Sequence, residues 1–234
     1  MDIIFLPGLL CDDTVWRPIA DRLNARYPSV RIMSITGLGS IGELADRVLQ
    51  AVSGTAIIVG HSLGARVAIE AWRRAPTRVV GLGLISMGTN PLMEGEVENR
   101  RLVVDVALNE GVTAIAPHWA KVVLSADSQR DSALVDDLIA MACRMSAADY
   151  ALQIEAFLGR APLDDVLPSI SVPTLLLASV EDRLAGTEQM RWAQSLIPGA
   201  VGVHLLQGGH MLPLEKTDLV ASELEKWVAS IARD

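Results

Sequence analysis

Six short apolar runs punctuate the chain: IIFL at 3–6, VRIMSI at 30–35, TAIIVG at 55–60, VVGLGLIS at 79–86, VPTLLLAS at 172–179 and VGVHLL at 201–206. Most of them are unbroken rather than alternating. A strand with one wet face alternates apolar and polar side chains, so a continuous apolar run implies cover on both faces. A parallel sheet between two layers of helices meets that condition. VRIMSI alternates more than the rest, which suits a sheet edge. Helical periodicity fills most of the gaps. Residues 14–27 carry Val15, Ile19 and Leu23 on one face, with Asp12 or Asp13 available as a cap. Residues 40–52 open on the capping-box-like Ser40-Ile41-Gly42-Glu43, residues 65–75 follow the third run, and 214–232 form the last helix. Strand and helix in alternation predict a doubly wound α/β fold, with about six mostly or wholly parallel strands and right-handed crossovers.

One gap breaks the rhythm. Residues 89–167 contain no strand signal, only helical patterns at 96–109, 112–124, 131–145 and 147–159. An insertion of that length between two sheet strands is too long for a connector and reads as a lid. The expected organisation is a core of residues 1–88 and 168–234 carrying a helical cap of residues 89–167.

Composition excludes several classes of function. The 234 residues are half hydrophobic and carry a formal net charge of −8. Arginines occur as scattered pairs such as Arg73-Arg74, without the basic stripe that a nucleic-acid partner requires. Two cysteines, Cys11 and Cys143, make no disulfide framework and read as reduced thiols. The apolar start is short, lacks a basic leader and shows no cleavage site, and no apolar run is long enough to span a bilayer. The reading is a soluble, cytoplasmic protein with no membrane partner. No His/Cys/Asp cluster has metal-ligand spacing, so neither metal nor organic cofactor is expected.

The chemistry concentrates where the third run ends, at Gly60-His61-Ser62-Leu63-Gly64, with a helix following at once. Gly-x-Ser-x-Gly alone is a weak signal. At a strand–helix junction it describes a very tight turn that lifts a serine out at the carboxyl end of the sheet, with no room for flanking side chains. The turn also sets Ser62 at a helix N-terminus, where free N–H groups favour negative charge.

A nucleophilic serine needs a base, and the chain has four histidines. His61 precedes Ser62 in the turn, so its side chain is expected to point away from that of Ser62. His204 lies within the last apolar run and reads as a packed residue. His118 falls in the insertion, where it could line a pocket. His210, in QGGHMLPLE just past the last run, sits on a glycine-flexed loop at the same sheet edge as Ser62. A carboxylate must orient the base. VPTLLLASVEDRLAG offers Glu181 and Asp182 beyond the fifth run; placement favours Asp182, with Glu181 as the alternative. The order Ser62, Asp182, His210 is that of the α/β-hydrolase arrangement.

The chain resembles the α/β-hydrolase superfamily, among its small bacterial esterase-like members. The resemblance rests on LPGLL, GHSLG, ASVEDRLAG and GGHMLPLE, with a weaker TGLGS at 36–40, and spans nearly the whole chain. It implies a serine nucleophile, an acyl-enzyme and an oxyanion hole. Two departures stand out. Pro7-Gly8 replaces the His-Gly common in the family, and the antiparallel hairpin that often precedes this strand is expected to be missing. The oxyanion donors are expected to be the N–H groups of Leu63, after the nucleophile, and of Leu9, released by the Pro7-Gly8 break.

These residues predict a hydrolase of carboxylic esters acting on a small-molecule substrate. From the insertion, His118, Trp119, Met141, Met145 and Phe157 are candidates for an apolar pocket. Lactones, thioesters and activated C–C bonds use the same machinery, and a small-molecule sensor could keep it with little turnover.

Overall fold

In the computed structural model, the structure describes residues 1–232, with backbone alone for residues 202–205. The reading of His204 as a packed side chain therefore lies outside the described residues. Six strands form one sheet: β1 (Asp2–Leu6), β2 (Val30–Ile32), β3 (Ala56–His61), β4 (Val79–Ile85), β5 (Thr174–Ser179) and β6 (Ala200–Leu206). The spatial order is β2-β1-β3-β4-β5-β6 and every pairing is parallel. The most alternating run supplies β2, at the edge. It pairs for fewer residues than its apolar run extends: Met33 N–H still donates to Phe5 O at 2.9 Å, and the chain then leaves the sheet.

Residues of each unbroken run divide between the two faces, as the lack of alternation requires. Ile4, Leu6 and Ile58 pack on one face under α2 (Ile41–Ala51), α3 (Leu63–Arg74) and α8 (Thr187–Leu196). Ile3, Phe5, Ile57 and Val59 pack on the other under α1 (Arg17–Asn24) and α10 (Thr217–Ile231). The helix at 40–52 is capped by Ser40, but its Oγ accepts from Gly42 N–H at 3.2 Å rather than from the third residue of a capping box. The expected helix at 14–27 divides into a 3₁₀ turn at Asp13–Val15, capped by Asp12, and α1. The expected last helix also divides, into α9 (Leu212–Glu215) and α10, with Lys216 between them at φ −137° and ψ 44°.

Between β4 and β5 lie α4 (Glu96–Glu110), α5 (Val112–Val123), α6 (Ser132–Cys143) and α7 (Ala147–Leu158). Their mutual apolar cluster includes Ala107, Ile115, Ala116, Ala142 and Ile154. Two buried guanidiniums tie the ends of this segment together. Arg66 of α3 donates to the carbonyls of Gly88, Asn90 and Ala161. Burial, reinforced by the Arg160 charge and only partly offset by Glu96, lowers its pKa to about 10. Arg160 donates to Asn90, Phe157 and Pro91 carbonyls and pairs with Glu96 at 2.6 Å.

Candidate active site

β3 runs straight into α3 through one strained residue. Ser62 has φ 53° and ψ −115°, a conformation that costs an L-residue about 1–3 kcal/mol. The turn is possible because its flanks are glycines: a Cβ on Gly60 would fall onto the Gly64 carbonyl, and one on Gly64 onto the Leu6 and Pro7 carbonyls. Ser62 N–H donates to Ile85 O at 3.0 Å, holding the turn to β4. The hydroxyl is left facing a cavity of about 780 Å³, which also takes in Leu9, His61 and His210. That volume suits a small-molecule site.

His210 reaches the same cavity from the loop after β6 and is fixed from every side. Its Nδ1 meets Asp182 Oδ2 at 2.8 Å, with both residues buried. The other carboxylate oxygen, Oδ1, accepts from Leu184 N–H at 2.8 Å and Ala185 N–H at 2.9 Å. Burial pushes the Asp182 carboxyl up, but the His210 interaction and these two amides outweigh it and hold it below the usual carboxylate value. Glu181 points elsewhere: its Oε2 accepts from Ala126 N–H at 3.1 Å. No hydrogen bond joins Ser62 Oγ to the His210 ring in this structure, although both border one cavity.

The loop after β1 comes close to the serine. A Cβ on Gly8 would lie 3.2 Å from Ser62 Cβ and 2.8 Å from His61 Nδ1, so only glycine passes there. Neither Leu9 N–H nor Leu63 N–H has a hydrogen-bond partner among the described residues. Leu9 borders the cavity, and Leu63 opens α3 beside the serine. Cys11, two residues further on, is buried; burial pushes its thiol up to about 12, so it stays protonated and donates weakly to Leu9 O at 3.3 Å.

The walls of the cavity come largely from α4 and α5, including Leu102, Val103, Val106, Ile115, His118 and Trp119, while Phe157 enters from α7. Met141 and Met145 depart from the expected pocket. Met141 is buried in the core cluster beneath α5, and Met145 packs against the apolar cluster of α4, α5 and α7. The reason is topological: α6, which carries Met141, packs on α5, and neither it nor the turn after it that carries Met145 contributes to the cavity wall.

The sequence model of the alpha/beta hydrolase family matches residues 3–223. The chain belongs to this family. A pimeloyl-[acyl-carrier protein] methyl ester esterase from Xanthomonas oryzae pv. oryzae is 25% identical over 244 residues, covering 98% of this chain and 95% of that protein. Among solved structures, a thermophilic esterase from Thermogutta terrifontis with malate bound superposes with a TM-score of 0.90 at 22% identity, covering 99% of this chain and 90% of that one. The enol-lactonase from Burkholderia xenovorans LB400 follows at 0.85 and 21%, covering 97% and 91%. At these identities the structural likeness speaks for the fold.

The contacts of two residues of this alpha/beta hydrolase escaped the reading of its sequence. Glu215 takes the N–H groups on both sides of His210, those of Gly209 and Met211, at 3.0–3.1 Å, and that of Ser125 at 3.0 Å. His61 Nε2–H donates to the His210 carbonyl at 2.8 Å, with the two rings 5.0 Å apart. Since its partner is a carbonyl, Nε2 carries the hydrogen and Nδ1 is bare. Burial, reinforced by His210, lowers His61 to about 3 and keeps it neutral. A glutamate five residues after the candidate base was the only trace of the first brace in the sequence, and the second left none. No helix among the described residues is long and apolar enough to cross a membrane.

Proposed function

We propose that the protein is a serine hydrolase of carboxylic esters with a small, largely apolar acyl part. Ser62 attacks the ester carbonyl as His210 takes its proton. The N–H groups of Leu9 and Leu63 receive the oxyanion. Collapse of the tetrahedral species expels the alcohol, which takes the proton from His210 and leaves an acyl-Ser62. Water, deprotonated by His210, then releases the acid and restores the serine. Asp182 holds the tautomer in which Nδ1 is protonated and Nε2 is free to act as base. Residues 89–167 serve as a cap whose α4 and α5 walls select the acyl group.

The observation that carries this reading is the buried Asp182–His210 pair opening on the same cavity as the strained Ser62. The unpartnered amides of Leu9 and Leu63 support it. So does the Xanthomonas relative, named as an esterase of a methyl ester. Approach of Ser62 Oγ to His210 Nε2 is a step of substrate binding in this scheme, as such contacts often tighten only in the complex.

Labelling with a fluorophosphonate, followed by turnover of an aryl-ester series with lactones and thioesters alongside, tests the proposal. Wild type should label and turn over the esters. Ser62→Ala should lose labelling and several orders of magnitude of turnover while remaining folded. Labelling without turnover would favour a sensor, and retained activity in the alanine variant would refute the assignment.

A further inference from the structure

Gln153 lies on α7 and its side chain is fully buried, yet it borders neither Ser62 nor the cavity. Its Oε1 accepts the N–H of Leu10 at 3.0 Å, across 143 residues of chain. Leu10 itself is unusual. It has φ 59°, a left-handed conformation that favours glycine, and is 1% exposed with its side chain in the apolar cluster of the insertion.

The peptide planes around it show what this contact does. The Gly8–Leu9 plane carries the Leu9 N–H, and its carbonyl on the opposite side accepts from Cys11 N–H at 3.3 Å, within the loop itself. The next plane, Leu9–Leu10, has its carbonyl on the weak Cys11 thiol donor and its N–H on Gln153. Gln153 is thus the one strong external tie on the second plane. Without it, Leu10 would hold a strained φ and a buried unpaired N–H together. The relaxation that cures both is rotation about the Leu10 backbone, and that rotation drags Leu9.

We propose that Gln153 is a positioning residue for the oxyanion hole, acting through Leu10 to hold the Leu9 N–H at the reacting carbonyl; this rests on the serine-esterase reading above. The hole would then be assembled across the boundary between core and cap. The same boundary carries further polar links, among them Arg144 to Asp12 at 2.7 Å and Asp149 to Gly37 N–H at 3.0 Å. Seating of the cap and electrostatic stabilisation of the transition state become one property.

The experiment compares Gln153→Met, which keeps length but removes the acceptor, with Gln153→Glu, which keeps an oxygen facing Leu10. An amide-to-ester substitution at Leu10 deletes the same hydrogen bond from its other end, and it decides the matter if the methionine variant does not fold. Deleting an oxyanion donor outright costs about 10²–10³ in turnover, so a misaligned one should cost about 10- to 100-fold in kcat. The methionine and backbone-ester variants should both show that loss, with KM within about threefold and the affinity of a trifluoromethyl ketone, which forms the oxyanion, reduced in parallel with kcat. The glutamate variant should recover most of it. A melting temperature lowered with kcat and ketone affinity unchanged would overturn the proposal, leaving Gln153 a cap anchor. If Ser62→Ala keeps its turnover, the serine-esterase reading falls and this inference with it; turnover that depends on Ser62 but ignores Gln153 refutes this inference alone.

Discussion

Replacing His61 by Gln separates two roles that one side chain combines. The glutamine amide can still donate to the His210 carbonyl, but it does not titrate. In the native protein His61 is buried and lowered to about 3 from an ordinary 6.5, so between those values the unfolded chain binds a proton that the folded one refuses. Stability therefore rises with pH through this window and is lost on acidification. Integrating from pH 7 to pH 5 gives a loss of about 2 kcal/mol from this one group. The carboxylates held low in the fold act further down. Asp12 and Asp182 start from 3.8, and Glu70 and Glu96 from 4.5, so their contributions are present above those values and fall away below about pH 5. Urea unfolding at pH 7, 6 and 5 isolates the histidine. With a slope of about 3 kcal/mol per molar, the wild-type midpoint should fall by about 0.6 M more than that of His61→Gln over this range. Parallel midpoints in the two proteins would show that His61 is protonated in the fold or reached by water, and the account of it as a neutral brace would fail.

Two further outcomes bear on the chemistry. Asp182→Asn should fold normally yet lose up to about 10⁴ in kcat, because the amide stabilises the wrong tautomer of His210, whereas Glu181→Gln should be mild; reversed effects in steady-state assays would mean the orienting carboxylate is misassigned. An amide-to-ester substitution at Leu9 should cut kcat by about 10²–10³ with KM little changed, and full activity in that variant would place the second oxyanion donor elsewhere.

The strands could be read from the chain because burial on both faces leaves a local trace, a run with no polar interruption. The helices of the insertion could be read because each needs only its own periodicity. The elbow was legible because its glycines keep a fixed spacing: Gly60 is demanded by crowding against Gly64 four residues on, whereas Gly64 is demanded by the Leu6 and Pro7 carbonyls at the end of the adjacent strand. Even the candidate base and acid could be picked out, since in a parallel sheet the loops that follow strands share one edge. What remained hidden was decided between segments distant in sequence. Helical spacing marks Met141 and Met145 as apolar positions but cannot say whether they meet a cavity or a neighbouring helix; the packing of α6 on α5 settled that for Met141, and the turn after α6 carries Met145 onto the apolar cluster of α4, α5 and α7. Nothing local distinguishes the last turn before Lys216 from the rest of a helix, and its end coincides with a Glu215 carboxylate drawn back onto three amides at Gly209, Met211 and Ser125. Placement along the chain favours Asp182 over the adjacent Glu181, but only the turn after β5 shows Asp182 aimed at His210 and Glu181 taken by Ala126 N–H. The bond from Gln153 to Leu10 has no signature at either end, because a single hydrogen bond imposes no pattern on the residues beside it and exists only where α7 packs against the loop after β1.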